Sequence, residues 1–407
     1  ILVTFRDYLD DITPHIPPLK LRIASESVIQ NEGLIHRFDP ETKIESWVLS
    51  VCGQDIGQMY LKVGKKLFAK NIRGWLGPKT DINNSIAETI KKEPDNFWYY
   101  NNGITIVCDN AKRETQADQD VIIIEGAQII NGQQTTRTLQ ENDSKNTNVL
   151  VKIIKISRNF EDVEDYDVLV NSIVRSTNWQ NSIAPSDLAS NDYIQVFLEK
   201  EFRKIGYQYI RKKMSKSEAR TWYGQGYHQI SKKELAQAVA ACLCDPNIVT
   251  TGKEILFEDP YYKTIFGSHD ILFYLVKYWL MRQVLYVARG DRERTYAKWL
   301  VLNFMWNKLG SCIGSGRSGR QFCDMCYGGA YGTLGDILDR VFKAVKNFYR
   351  LNCGKGEEKI EVRNFFRLSK LAQKFREYWA SPNNHYGHKA EKYIKRFEND
   401  LRNENEK

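Results

Sequence analysis

Runs of apolar residues in the first half of the chain change between helix-like and strand-like spacing. Apolar residues fall at helical spacing over 56–70, and β-branched or aromatic runs bounded by Asn and Gly are typical of strands. The predicted helices cover 56–70, 85–92 with Asn83 or Asn84 as its N-cap, 133–140 and 165–175. The predicted strands cover 47–51, both halves of FWYYNNGITIVCD around an Asn-Asn-Gly turn, both halves of VIIIEGAQIING around Gly126, and 148–156.

Helical spacing dominates the second half of the chain. It predicts helices over 188–205 and 232–243 and over nearly all residues from 271 onward, with a break at the glycine-rich stretch 310–335. The order of elements therefore predicts an α+β fold, in which a mixed sheet with flanking helices precedes a mostly helical domain. The expected domains are an N-terminal segment at 1–45, incomplete or linking, an α/β core at 46–185 and a helical domain at 186–407.

Composition limits the class of protein but does not indicate a particular function. The length of 407 residues suits two or three domains, and the formal net charge of +9 permits a nucleotide or nucleic-acid partner without requiring one. The apolar runs of the strands are too short to cross a bilayer, so no membrane association is expected. Eight cysteines without a signal peptide are better explained as free thiols, which favours a cytoplasmic location.

The segment IINGQQTTRTL, Ile129–Leu139, ends an apolar strand at Asn-Gly and leads into a predicted helix. Asn-Gly marks many turns that have no function, because both residues tolerate positive φ. The alternative is a phosphate-binding loop, since the first N–H groups of a helix lack partners and carry the positive end of its dipole. The expected contributors are Asn131 and Gly132, which shape the turn, the amides of Gln133 and Gln134, the hydroxyls of Thr135 and Thr136, and the charge of Arg137.

Two further polar loops follow similar rules. Asn101, Asn102 and Gly103 separate two apolar runs and predict either a hairpin turn or one wall of the same binding site. Asn178, Gln180 and Asn181 belong to a segment dense in amides, which fit helix interiors poorly. This density indicates either helix-cap chemistry or a lid that recognises a polar ligand.

The ordered series LFAKNIRGWLG, FWYYNNGITIVCD, IINGQQTTRTL, VLVKII and RSTNWQNSIAPSDLASND resembles the AIPR family, bacterial proteins named for abortive infection and phage resistance. The resemblance covers about 45–215 and implies a role in anti-phage defence. NGQQTTRTL also looks like the DGQQR and DGQHR motifs of ParB/sulfiredoxin-like domains, in which a strand–loop–helix element is thought to bind nucleotide phosphates. Here Asn131 replaces the acidic residue of that motif, and Thr135 stands at the position of its arginine.

A basic tract at 200–220 interleaves cations with aromatic rings. This pattern suits either phosphate contacts and base stacking with a nucleic acid or a solvated helix end. The candidate nucleic-acid-binding residues are Lys204, Tyr207, Tyr209, Arg211, Lys212 and Lys213.

Candidate metal and nuclease chemistry is sparse in the sequence. Cys323 and Cys326 form a single C-x-x-C pair, whereas zinc requires three or four ligands, so zinc is not expected. No set of clustered carboxylates identifies a nuclease, which remains a third hypothesis after the two that follow.

The main hypothesis is a cytoplasmic anti-phage defence protein that binds a nucleotide or nucleic acid through the strand–loop–helix segment. If the ligand is an NTP, Mg²⁺ is the cofactor expected with it. The alternative is a non-catalytic sensor or regulatory module that contacts other proteins of a defence system. The sequence leaves open whether any reaction, such as NTP hydrolysis, is catalysed.

Overall fold

The computed structural model describes residues 16–23, 34–39, 44–71, 81–116, 119–156, 163–178, 184–212, 228–328, 332–382 and 384–403. The chain divides into two units. The first comprises Ile1–Phe197 and Ile210–Tyr227, and the second comprises Leu198–Tyr209 and His228–Lys407.

Ten strands are described. They are β1 (Leu19–Arg22), β2 (Leu34–Phe38), β3 (Glu45–Cys52), β4 (Ile104–Cys108), β5 (Asn110–Gln116), β6 (Gln119–Glu125), β7 (Gln128–Asn131), β8 (Asn148–Lys155), β9 (Tyr207–Ile210) and β10 (His228–Ser231). The first unit contains a five-stranded mixed sheet of order β2-β3-β8-β4-β7, in which only β8 and β4 are parallel. A second, antiparallel sheet has the order β1-β6-β5, and β9 pairs with β10.

The helices that begin in the first unit are α1 (Gly53–Val63), α2 (Asp81–Lys92), α3 (Phe97–Tyr100), α4 (Gln133–Glu141), α5 (Val163–Asn178), α6 (Pro185–Leu188) and α7 (Tyr193–Lys204). Both faces of the mixed sheet are apolar, which explains the nearly continuous apolar sequence of β8. One face shares a core with the second sheet and with α1 and α4, including the buried Ile104 and Leu139. The other face packs Val107 and Ile154 against Val170 and Val174 of α5.

The second unit is mostly helical. Its helices are α8 (Lys232–Leu243), α9 (Pro246–Thr251), α10 (Tyr261–Ile265), α11 (Ile271–Ala288), α12 (Arg292–Ile313), α13 (Gly316–Tyr327), α14 (Gly332–Asn352), α15 (Val362–Phe365), α16 (Leu371–Ala380) and α17 (His385–Asn403). Ser231 caps α8 in a capping box with Glu234. The fold class expected from the sequence, α+β with a helical second part, is therefore confirmed.

Helix α11 is long and apolar enough to cross a membrane by length and composition alone. Of the 18-residue window that passes this test, 61% is buried inside the structure. Core helices of folded domains also pass, so the match is weak evidence for a membrane span.

Three local predictions are wrong. Residues 97–100 form the short helix α3 instead of a strand, because Pro94 starts a helical turn that carries only Phe97 into the core. Helix α2 begins at Asp81, so Asn83 and Asn84 lie inside it and do not cap it. The predicted helix 188–205 is divided by a 3-10 turn, Ala189–Asn191, before α7.

The glycine-rich stretch 310–335 is largely helical, contrary to the predicted break. Gly319 lies where α13 packs closely on α11: a Cβ at this position would lie 3.2 Å from the Leu272 side chain and 2.6 Å from the Ile313 carbonyl oxygen. The absence of a side chain at Gly319 therefore permits the close helix packing.

Candidate functional site

Two of the three predicted loops meet at one end of the mixed sheet. Strands β4 and β7 are antiparallel neighbours, and Thr105 of β4 pairs with Asn131 of β7. The start of one strand therefore lies beside the end of the other, which places Asn101–Gly103 next to Gly132. Helix α4 begins directly after Gly132, so the observed element is the expected strand–loop–helix.

Both loops require glycine, because the backbone has positive φ and because a Cβ would have no room. Gly103 has φ of 76° and Gly132 has φ of 100°, a region that L-residues rarely adopt. A Cβ on Gly103 would lie 2.6 Å from the carbonyl oxygen of Leu150, and a Cβ on Gly132 would lie 2.8 Å from Cγ1 of Ile104. The loops therefore pack backbone against backbone, and the glycines hold the start of α4 against β4.

Polar side chains connect the loops. Asn101 Nδ2 donates to Thr135 Oγ1 at 3.3 Å, and Asn101 Oδ1 accepts from the backbone N–H of Gly103 at 3.0 Å. Asn83 Nδ2 of α2 donates to Gln134 Oε1 at 3.0 Å. Asn101, Thr135 and Gln134 therefore have structural partners, and their hydrogen bonds order the loop around the start of α4.

The N-terminus of α4 is suited to an anion. The first helical hydrogen bond runs from Thr136 N–H to the Gly132 carbonyl at 2.8 Å, so the N–H groups of 133–135 precede the regular helical pattern. Gly132 provides no side-chain cap, and the first turn, which is fully described, holds no acidic residue. The positive end of the helix dipole is therefore not neutralised by a carboxylate of its own turn.

Gln133 and Thr136 carry the least satisfied polar atoms of this loop. Gln133 is 6% exposed and Thr136 is fully buried, and within the described residues neither Gln133 Oε1 nor Thr136 Oγ1 has a hydrogen-bond partner. An unpaired buried polar atom is costly, so such atoms call for an explanation. A bound ligand or an ordered water at the start of α4 is one explanation.

Arg137 lies one turn along α4 from Gln133. Its guanidinium carbon is 5.5 Å from the centroid of the Tyr60 ring on α1, and the side chain is half-buried. The geometry is that of a cation–π contact between two packed helices. Arg137 therefore helps to pack α4 on α1, a role that its position in the motif did not predict.

Three exposed aromatic rings precede the Asn101 loop and were missed as site residues. Trp98, Tyr99 and Tyr100 are 39%, 74% and 66% exposed, whereas Phe97 of the same short helix is buried. The sequence pattern predicted a strand for this run, and a strand buries about half of its side chains. The FWYY run was the sequence signal for exposed rings, because one strand cannot bury four consecutive aromatic side chains.

The third predicted loop, with Asn178, Gln180 and Asn181, lies mostly outside the described residues. Asn178 ends α5, and its side chain is outside the described set, as are Gln180 and Asn181. Their proposed role as a lid stays a prediction.

The basic tract differs from the expected stacking surface. Tyr207 and Tyr209 are buried in β9, where Tyr207 Oη accepts from Trp279 Nε1 at 3.0 Å, and burial raises the pKa of Tyr207 to about 12. Lys204 is exposed and pairs with Glu201. Buried rings cannot stack on a base, so the structure does not support a stacking role for Tyr207 and Tyr209.

The two cations that follow β9 are also buried. Arg211 Nη1 donates to the Ser190 carbonyl and to Asn191 Oδ1 at 2.9 and 3.1 Å, and Lys212 Nζ donates to the Ala69 carbonyl at 2.8 Å. Both side chains thus fix backbone within the first unit and are not presented to phosphates. Lys213 lies outside the described residues.

The cysteine pair lies on α13. Cys323 and Cys326 are buried, and burial raises the pKa of both thiols, that of Cys326 to about 12. Zinc binds the thiolate form, which this environment disfavours. Across the described ranges, no group of three or more His, Cys, Asp or Glu side chains is positioned to hold a metal ion.

Comparisons with known proteins give one match. The family described as AIPR protein matches residues 68–307, more than half of the chain and a span that includes both loops of the candidate site. The chain matches none of the curated proteins and none of the solved structures with which it was compared, so the likeness to ParB/sulfiredoxin-like domains stays a prediction. The protein belongs to the AIPR family, whose name supports a role in abortive infection and phage defence.

Proposed function

We propose that this phage-defence protein binds the phosphate of a nucleotide or nucleic acid at the start of α4. The observation that carries the proposal is the uncapped N-terminus of α4, where buried Gln133 and Thr136 hold polar atoms without partners in the described part of the chain. Backbone N–H groups and a helix dipole favour a phosphate at such a position. Rotation of the Gln133 amide by 180° would turn its NH₂ group, a hydrogen-bond donor, toward the phosphate.

The rings of α3 support a nucleotide over a simple anion. Trp98, Tyr99 and Tyr100 immediately precede the loop that contacts α4, and their exposure leaves ring surface free for a base. Stacking of one base on an aromatic side chain contributes roughly 1–3 kcal/mol and tolerates any base. A site of this kind binds through phosphate and ring, with weak selection among the bases.

A charge change in the exposed loop tests the phosphate contact. Asn102→Asp places a carboxylate beside the start of α4 without disturbing a buried group, because Asn102 is exposed. We expect it to weaken binding of ATP, GTP or CTP by about tenfold, equivalent to about 1.4 kcal/mol. Titration calorimetry with and without Mg²⁺ measures the effect.

Asn146→Asp is the matched control, because Asn146 is exposed in the segment that follows the opposite end of α4. It should leave the affinity unchanged. Absence of binding at millimolar nucleotide, and to a short oligonucleotide, would contradict the proposal and favour the alternative of a non-catalytic sensor module. Equal loss in both variants would show that net charge, and not the α4 site, determines binding.

A further inference from the structure

One cavity lies wholly within the second unit. Its walls come from α8, α9, α11, α12 and α15, and its volume is about 440 Å³. Cavities that bind small organic ligands commonly measure about 300–1,000 Å³. The space is therefore adequate for a ligand of nucleotide size.

Four cations surround this cavity: Lys253, Lys298, Arg363 and Arg367. None of the four has a carboxylate partner within the part of the chain that the structure describes. The one carboxylate of the lining, Glu234, already accepts from the N–H and the hydroxyl of Ser231 at 3.2 and 2.8 Å. Because four cations face this one carboxylate, the lining keeps an excess of positive charge.

A neighbouring cavity of the same unit has a different arrangement of cations. Arg294 and Lys343 line that cavity, and each pairs with Asp339 at 2.7 Å. Arg294 lies on α12, the helix that also carries Lys298, so a cation of this helix can have a carboxylate partner. The four cations around the first cavity have no such carboxylate among the residues that the structure describes, so an external anion would compensate their charge.

The positive charges are also unfavourable to each other. Burial lowers the pKa of Lys298, and the charge of Lys253 lowers it further. Like charges held near one another destabilise the protonated amine, and an anion between them would reverse the effect. The lysine pair therefore favours a bound anion over an empty cavity.

The rest of the lining includes apolar side chains. Met281, Trp299 and Phe366 are buried side chains that reach the cavity, and Leu285 is partly buried beside them. Lys298 Nζ lies 5.1 Å from the centroid of the Trp299 ring, so the charged and aromatic parts of the lining adjoin. A ligand that fills both parts carries an anionic group and an apolar or aromatic group.

We propose that this cavity binds a small phosphate ester with an aromatic part, held by Lys253, Lys298, Arg363 and Arg367. This site is separate from the start of α4 and does not depend on phosphate binding there. AMP is a suitable probe, with adenosine and inorganic phosphate as its two halves. The cations contact the phosphate, and Met281, Trp299 and Phe366 contact the ring.

Amine labelling locates the ligand directly. Lys298 should react readily with an acylating reagent near pH 8, because its lowered pKa leaves more neutral amine, and millimolar AMP should slow its modification at least threefold. Labelling of the exposed Lys355 should not change. Mass spectrometry of the labelled peptides measures both rates. An unchanged rate at Lys298 would overturn the proposal, and equal protection by adenosine alone would refute its anionic part.

A paired variant gives the second measurement. Lys298→Met combined with Arg367→Gln should weaken AMP binding at this cavity about tenfold, whereas Arg350→Gln combined with Lys355→Met, two exposed cations of the same unit, should not. Asn102→Asp, the variant that tests the α4 site, should leave the protection of Lys298 by AMP unchanged. The two proposed sites are therefore tested independently. Full AMP affinity in the Lys298/Arg367 variant would contradict the assignment.

Discussion

Replacement of Gly103 by Ala is expected to lower the free energy of unfolding of the first unit by about 3 kcal/mol. Part of this loss arises because an L-residue at φ of 76° costs roughly 1–2 kcal/mol. The rest comes from the new Cβ, which would lie 2.6 Å from the Leu150 carbonyl oxygen of β8. Overpacking of this kind typically costs about 1–3 kcal/mol, because a backbone atom cannot move aside as a side chain can.

Gly206→Ala separates the two contributions. Gly206, in the second unit, has φ of 81°, and a Cβ there would meet no atom within 4 Å, so only the conformational cost of roughly 1–2 kcal/mol applies. Urea unfolding followed by circular dichroism gives both values. Similar losses in the two variants would show that the close approach of Gly103 to β8 contributes nothing to stability.

Replacement of Lys277 by Met is expected to stabilise the second unit by about 2 kcal/mol at pH 7. Lys277 is 1% exposed in α11, and burial lowers its pKa to about 8 from 10.5. This shift corresponds to roughly 3 kcal/mol of penalty on the charged amine. The contacts of Nζ with the Phe273 carbonyl at 2.7 Å and with the Trp306 ring offset part of it.

The pH dependence gives the sign of the Lys277 effect. Because the pKa is lower in the folded state than in the unfolded state, the penalty is fully present below about pH 8 and disappears as pH rises toward 10.5. The advantage of Lys277→Met should therefore shrink between pH 8 and 10. Thermal unfolding at several pH values measures it, and a constant advantage across this range would contradict the assigned cause.

Lys308→Met is the matched control for Lys277. Lys308 is also partly buried, but its Nζ donates to both carboxylate oxygens of Glu391 at 2.9 and 3.0 Å. Removal of this lysine leaves the carboxylate without its cation and should reduce stability by about 1 kcal/mol. Opposite signs for the two lysines would show that pairing, more than burial, decides the contribution of each.

Local sequence chemistry predicted the elements of the candidate site better than their surroundings. Strand 148–156 and the helix after Gly132 were predictable, because apolar periodicity and the Asn-Gly step act over a few residues. The meeting of Gly103 with Gly132 depends on the pairing of β4 with β7, which the local pattern does not encode. The structure brings these loops together, and their role in binding stays a prediction.

Burial of polar residues was the least predictable feature. Tyr209, Arg211 and Lys212 form part of a basic and aromatic tract that matches a nucleic-acid surface in composition. In the structure, the cations donate to backbone carbonyl groups that lie elsewhere in the sequence, such as that of Ala69. Such partners are set by tertiary packing, so composition alone cannot distinguish a structural cation from a binding cation.

The strand order of the mixed sheet determines when the candidate site can form during folding. Strand β3 pairs with β8, which lies about a hundred residues later in the chain, and β4 joins the sheet beside β8. Contacts between such distant segments require closure of long loops and form slowly. A nascent chain that ends before β8 therefore contains both loops but lacks the strand that supports Gly103, so the candidate site would assemble only after the whole sheet is synthesised.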